Sequence, residues 1–333
     1  EAANYEIAED VMNVTNTRPI EKVSLKGTKT WADFNNRDGK RPESIKVYLL
    51  ADGQPALDEN GKEIKPVTVK DAKTADTWNY EFKDVPKHRA VKAGDTIEKA
   101  TPINYTIKEE VSKKLINEEY VIKEDGMNVT NTRPLDKVSF KGTKVWDDAN
   151  NQDGIRPENI TVNLFADGKK VASQVVTGSR GFEEKDATWS YEFNNLPKHV
   201  EGKVGKKIKY TVTEEKIANY ETKVKGSTIT NSYKPQETRL FVEKAWDDAS
   251  NQDGKRPQDI AIQLYADGKA LTGKKLTLSS ANKWKASIKN LPVKFKGEDI
   301  KYSVKEISEA AEKVGYKAKI AYSANKENKQ NKD

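Results

Sequence analysis

A primary amine, a carboxylic acid and a carboxamide recur at fixed places in this sequence, each on the apolar side of an alternating strand. Lys29 shares parity with Val23, Leu25 and Trp31; Lys144 lies in step with Phe140 and Trp146, and Lys244 with Val242 and Trp246. Glu109 falls in register with Tyr105 and Ile107, Glu214 with Tyr210 and Val212, and Glu306 with Tyr302 and Val304. Asn131 is in step with Val129, and Asn231 with Ile229. Because residues i and i+2 of a strand face the same way, this pattern sends the polar groups into an apolar layer. An isolated buried charge is costly and is either paired or neutralised. Two arrangements meet that demand. One is a buried Lys–Glu ion pair with a hydrogen-bonded Asn. The other is a condensation, in which a neutral lysine amine attacks the Asn carboxamide, ammonia leaves and a protonated Glu moves the proton. Burial favours both uncharged forms and excludes water. The product is a Lys–Asn isopeptide bond, formed once and without a cofactor. The residues alone leave both readings open.

The elements that must position these groups are repeated. WADFNNRDGKRP (31–42) returns as WDDANNQDGIRP (146–157) and WDDASNQDGKRP (246–257), and such self-similarity marks tandem modules. Each copy continues with an alternating strand and a D-G turn (SIKVYLLADG, NITVNLFADG, DIAIQLYADG), then TWNYEFKDVP, TWSYEFNNLP or KWKASIKNLP, and then YTIKEE, YTVTEE or YSVKEI. The six tryptophans occupy two fixed places per copy. Period-2 alternation with D-G and N-G turns predicts an all-β fold, a β-sandwich of about 100 residues per repeat. The only helix-like stretch is ISEAAEKV (307–314). The organisation expected is a closing hairpin of a preceding repeat over 1–19, then repeats over 20–134, 135–235 and 236–333. Residues 1–19 match 116–134, so the chain reads as part of a longer array in which Asn16 is a closing-strand asparagine without its lysine. The first repeat is the longest, with its extra residues in the polar stretches LDENGKEIK and AVKAGDTIEKAT, where surface loops tolerate insertion. The proline-containing junctions NTRPLDKV and NSYKPQETR are short, which favours semi-rigid connections.

Composition narrows the function classes. The 333 residues are 35% hydrophobic and 33% charged, with a net charge of +7. Both signs are mixed along the length, which describes a solvated surface and not a nucleic-acid stripe. There is no cysteine, so disulfides, thiolate metal sites and cysteine nucleophiles are excluded. No apolar run reaches the roughly 20 residues that span a bilayer. The expectation is a monomer with no metal, cofactor, nucleic acid or membrane partner.

The W-D-D-x-x-N-Q-D-G-x-R-P block, the Y-x-V-x-E strand and the closing T-N-x-Y strand resemble the Cna B-type repeat of Gram-positive surface adhesins and pilins. The resemblance covers nearly the whole chain. It implies a reversed immunoglobulin-like (Cna B, or prealbumin-like) sandwich with a self-formed, Glu-assisted Lys–Asn bond. Carried onto this sequence, it implies links Lys29–Asn131 and Lys144–Asn231, with Glu109, Glu214 and Glu306 as the catalytic acids and Lys244 as the third lysine. It further implies a cell-wall-anchored, extracellular stalk, a spacer that resists tension and proteolysis. Neighbouring repeats would be its partners, and a host matrix protein would be bound through parts outside this chain. The rival function is a ligand-binding adhesin module that grips a host matrix protein itself. No site for turnover on other molecules is visible.

The third repeat departs from the pattern. Asn131 and Asn231 lie 11 residues after Tyr120 and Tyr220, but the matching residue after Tyr316 is Glu327. Asn325 or Asn328 would have to serve Lys244. Two arrangements follow for the unmatched groups: a trimmed array with frayed ends, which is the simpler, or residues 11–17 of one molecule completing the third repeat of another. The Asx-rich DDANNQDG loop reads as a connection and not a calcium site, since Ala149 and Ile160 fall where an EF-type loop needs carboxylates. His88 and His199, each in a P-K-H turn, read as surface residues without clustered partners. The N-V-T and N-I-T sequons are too short and common to carry a role.

Overall fold

The structure is a computed structural model, and it describes residues 6–10, 13–70, 75–91 and 101–321. Contacts divide the chain into two compact units, Glu1–Ser139 with Phe193–Lys209 and Phe140–Glu192 with Tyr210–Asp333.

In the first unit the alternation seen in the sequence becomes two facing sheets. One is ordered Thr77–Pro86, Lys22–Ala32, Asn128–Thr132, Val121–Asp125; the other pairs Ile45–Ala51 with Gln54–Pro55, Val67–Val69 and Tyr105–Glu109. The first and last strands of the repeat lie side by side and parallel, with Val129 opposite Lys29 and Asn131 opposite Trp31. Their inward residues, Trp31 and Val129, meet Val47, Leu49 and Ile107 of the facing sheet in one core with Trp78, Tyr80 and Phe82. Two sheets closing on an apolar layer make the expected all-β sandwich. Of the insertions, residues 57–65 are largely exposed, as a surface loop should be, and most of AVKAGDTIEKAT lies outside the described residues.

The second unit repeats the plan. One sheet is ordered Thr188–Pro197, Lys137–Asp147, Thr228–Ser232, Glu221–Lys225, again with the opening and closing strands parallel and Asn231 opposite Trp146. The other is ordered Lys169–Thr177, Asn159–Ala166, Tyr210–Glu214. Its remaining residues build a third pair of sheets, Lys269–Ser279 with Asp259–Ala266 and Tyr302–Glu306, and a two-stranded sheet of Glu237–Glu243 with Lys285–Pro292. Here the opening strand stops at Glu243 after 7 residues, whereas its counterparts run for 11. No parallel closing strand is seen beside it among the described residues; its ladder with Lys285–Pro292 runs to Glu243, and Lys244 N donates to Trp284 O at 2.9 Å.

Two α-helices occur among the described residues, where the sequence suggested one. Glu309–Lys313 falls in the expected place, and Lys113–Asn117 was not anticipated. A single turn carries too little periodicity to register in a sequence. It is held by the Ser112 hydroxyl, which accepts from Leu115 N, and by burial of Leu115. Among the described residues no helix is long and apolar enough to cross a membrane.

Candidate functional site

The strands bring the amine, acid and carboxamide together. In the first repeat Lys29 Nζ lies 3.3 Å from Glu109 Oε2, with both side chains fully buried. Asn131, also fully buried, donates from Nδ2 to Glu109 Oε1 at 2.8 Å, while its Oδ1 has no hydrogen-bonding partner. The amine stands 4.1 Å from the centre of the Trp31 ring, so its remaining surroundings are aromatic. Burial drives Lys29 down to about 8, against the opposing pull of the Glu109 carboxylate. Burial likewise pushes Glu109 above its ordinary value, against the pull of Lys29 and the Asn131 hydrogen bond. Each member of the pair is thus moved toward its uncharged form.

The second repeat carries the same set. Lys144 Nζ is 3.8 Å from Glu214 Oε1, again with both side chains fully buried, and 3.8 Å from the Trp146 ring centre. The ammonium position is fixed by Val145 O, which accepts at 3.0 Å. Asn231 is fully buried, and neither atom of its carboxamide has a hydrogen-bonding partner. Thr222 Oγ1 donates to Glu214 Oε2 at 3.2 Å. Burial lowers Lys144 to about 8 and raises Glu214.

In the third repeat Lys244 donates to Glu306 at 3.0 Å, but the side chains are 17% and 11% exposed. Asn325 and Asn328 lie outside the described residues. Asn16 sits in the strand Asn13–Thr17, opposite Ile7 of Glu6–Asp10, and is exposed.

A second constellation, which sequence reasoning treated only as a connecting loop, closes the site from one end. Asp33 accepts from Arg41 through both carboxylate oxygens (2.8 and 2.5 Å) and from the Tyr120 hydroxyl at 2.7 Å. Asp148 holds Arg156 and Tyr220 in the same way, and Asp248 holds Arg256 and Tyr316. Trp31 stacks edge-on against both Trp78 and Tyr120, at 5.1 and 5.2 Å between ring centres. The loop turns through three successive left-handed residues, Phe34 to Asn36, and again through Ala149 to Asn151 and Ala249 to Asn251. Asn and Asp tolerate that conformation and bond their own backbone: Asn36 N donates to Asp33 Oδ1, and Arg41 N to Asn36 Oδ1. The signal was present in the spacing of D, N and R, but a buried arginine is not what composition leads one to expect.

A profile of the Cna protein B-type domain matches residues 25–132, 140–232 and 240–331. The chain belongs to the Cna B-type domain family. The collagen adhesin of Staphylococcus aureus is 36% identical over 390 residues, covering 91% of this chain and 31% of that protein. The chain therefore spans about a third of its relative's length. Among solved structures, two B repeat units of the collagen-binding protein of Staphylococcus aureus are 38% identical, covering 92% of this chain and 75% of that one with a TM-score of 0.47. The major pilin of Streptococcus pyogenes is 11% identical and covers 86% and 99%, with a TM-score of 0.27.

Where one B-type repeat follows another, the structure corrects the reading of His199. It is buried, and its Nδ1 lies 2.8 Å from Asp38 Oδ1. Asp38 Oδ2 accepts from Arg133 and from the backbone of Asp136, both at 2.7 Å, and Arg133 also donates to Asp136 at 2.5 Å. The partners are 161 residues apart in sequence, which hid the contact. Asp38, Asp136 and His199 place three ligand-type atoms within 4.8 Å of one another. The Arg133 guanidinium already occupies both carboxylates, so a cation would have to displace it. The corresponding Asp153 accepts from Tyr233 and from the backbone of Gln236, at 2.8 and 2.9 Å. Beside it, Gly297 N donates to Gln152 O at 3.0 Å, as Gly205 N does to Arg37 O. Gly154, at φ +72°, faces Gly297 so closely that an added Cβ would lie 2.7 Å from the Gly297 Cα.

Proposed function

We propose that this chain is a run of structural spacer repeats from a Gram-positive cell-surface adhesin, organised as 20–134, 135–235 and 236–333 behind a closing hairpin at 1–19. The first two repeats are each welded by an intramolecular isopeptide bond, Lys29–Asn131 and Lys144–Asn231. The observation that carries this reading is the fully buried amine–acid–carboxamide set, present twice with the same pKa displacements.

The chemistry follows from the protonation states. A lysine brought to about 8 supplies neutral amine near neutral pH. A glutamic acid kept neutral by burial has a proton to give. Half a turn of the Asn131 carboxamide exchanges its nitrogen and oxygen, so that Glu109 donates to Oδ1, polarising the carbonyl. Lys29 Nζ then adds to Cγ, the Cγ–Nδ2 bond breaks, and Glu109 carries a proton from the incoming amine to the leaving ammonia. Apolar walls exclude the water that would hydrolyse the amide. Glu214 serves Lys144 and Asn231 in the same role. Glu306 is proposed to serve Lys244, whose acyl donor among the residues of its own chain would be Asn325 or Asn328.

The bond joins the first strand to the last. Tension applied at the ends of a repeat would pass from one strand directly to the other, leaving the roughly 100 residues between them unloaded. An amide also needs no oxidising compartment, which suits a chain without cysteine. Cell-wall anchoring, and recognition of a host matrix protein such as the collagen for which the relative is named, are assigned to parts of the parent protein outside these repeats.

Intact mass under denaturing conditions tests the proposal. A single chain should weigh less than its sequence by one ammonia for each of the two repeats, and Glu109→Ala and Glu214→Ala should each restore one. A wild-type mass equal to that of the sequence would leave only a buried ion pair.

A further inference from the structure

A glycine stands two residues before Lys29 and before Lys144, and a tyrosine from the neighbouring strand crosses each. Gly27 is buried in the opening strand, directly opposite Tyr80 of Thr77–Pro86. Tyr80 passes over the bare glycine backbone and donates its hydroxyl to Met127 O at 2.5 Å, in the turn that leads into the closing strand. A Cβ at Gly27 would overlap both the Tyr80 ring and that carbonyl. In the second repeat Tyr191 donates to Ser227 O at 2.7 Å, and a Cβ at Gly142 would overlap the Tyr191 ring and Ser227 O. Close approach is what demands glycine at these two places. Burial pushes both phenols up to about 12, so each keeps its proton at neutral pH.

The third repeat carries a different pair at the same places. Val242, two residues before Lys244, lies opposite Ala286, two residues after Trp284, and both pack against the apolar core. A larger side chain on the opening strand and a smaller one on its neighbour occupy the same space, so packing alone does not require glycine with tyrosine. What the glycine–tyrosine pair adds is a hydroxyl bond that runs from one strand, across the opening strand, to the start of the closing strand.

That bond bears on register. Apolar alternation opposes a slip of one residue, but a slip of two keeps every side chain on its own face. It would put Val129 or Arg133 where Asn131 now meets Glu109. The turn before the closing strand is held against such a slip from both sheets. Tyr80 holds Met127 O, and Ile107 N of the facing sheet donates to the adjoining Gly126 O at 3.2 Å. We infer that Tyr80 and Tyr191 are positioning residues for the cross-linking, hooking the closing strand across Gly27 and Gly142 so that Asn131 and Asn231 arrive in register with Lys29 and Lys144. The inference rests on the chemistry proposed above and adds no step to it.

The test follows ammonia loss in the full chain after cell-free synthesis, by denatured mass and peptide mapping, with the second repeat as the internal clock. Tyr80→Phe keeps the ring and removes only the hydroxyl. It should slow linkage of the first repeat by roughly tenfold or more while the second links at its usual rate. Its folded fraction is read by denaturant titration in an Asn131→Ala background, which cannot link, and the linking rate is expressed per folded chain. Because Tyr80 moves no proton, the fold-change should stay constant through the titration of Lys29 near 8. Gly27→Val combined with Tyr80→Ala installs the third repeat's own pair, and it should fold and still link slowly. Linkage at the wild-type rate in either variant overturns the inference, since filling the space would then suffice. Such a result leaves the parent chemistry standing, whereas a wild-type chain without ammonia loss in either repeat overturns both.

Discussion

Replacing Lys29 by methionine removes the nucleophile while keeping an unbranched apolar stem of similar length in the same slot. The change adds no buried charge, because burial already favours the neutral form of Glu109, and the 2.8 Å contact with Asn131 survives. What is lost is the tether. Closing a loop of about 100 residues removes unfolded-state entropy worth about 4–5 kcal/mol by the chain-entropy relation used for disulfides. A domain of about 100 residues has an unfolding entropy near 0.2 kcal/mol per kelvin, so the transition of the first repeat should fall by about 20 °C. Calorimetry on the full chain would read this, with the second repeat, still linked through Lys144, as the internal reference. Denatured mass on the same sample should show one ammonia loss fewer than wild type. A Lys29→Met chain that kept the full mass deficit, or melted within a degree or two of wild type, would refute the assignment of Lys29 as the linked residue.

Two further outcomes follow from the geometry. In Asn131→Ala, Lys29 remains a free buried amine near 8 in the folded state against an ordinary 10.5. Between those values the unfolded chain binds more protons, so the stability of the first repeat should rise with pH from about 8 to 10.5 in denaturant titrations, and Lys29→Met in the same background should remove the rise. Gly154→Ala and Gly254→Ala impose the same left-handed strain, at φ +72° and +65°, costing about 1–3 kcal/mol. Only Gly154 faces a neighbour, so only Gly154→Ala should lower the hydrogen-exchange protection of the Gly297 N–H, which donates to Gln152 O.

How much of this was legible beforehand depends on the range of the interaction. The burial of Lys29, Glu109 and Asn131 was legible because each breaks a period-2 pattern within a few residues of itself, and because the break recurs in the next copy. The sandwich was legible for the same reason, since alternation reports which face is buried. The role of Arg41 was not, because its two hydrogen bonds to Asp33 depend on three left-handed residues that reverse the chain between them. His199 was read as a surface residue because nothing nearby in sequence buries it; its partner Asp38 belongs to the preceding repeat. The helix Lys113–Asn117 escaped notice because one turn is stabilised by a cap and a single buried leucine, neither of which produces a period.

The contrast between the first and third repeats bears on when the proposed bond can form. In the first, the closing strand does three things at once. It pairs with the opening strand from Lys29 to Ala32, covers the amine and acid to zero exposure, and delivers Asn131 against Glu109. In the third, where no such strand stands among the described residues, the opening strand ends early and Lys244 and Glu306 remain partly exposed. In the first repeat the strand that carries the proposed acyl donor is thus also the strand beside the buried Lys29. Under the proposed chemistry, lysine neutralisation and carboxamide delivery would be the same docking event, and a partly folded repeat would have neither a competent nucleophile nor a substrate for it. Under this chemistry the bond records that folding has been completed in the native register: a slip of one residue would turn Asn131 to the opposite face of the sheet and leave Lys29 with no donor.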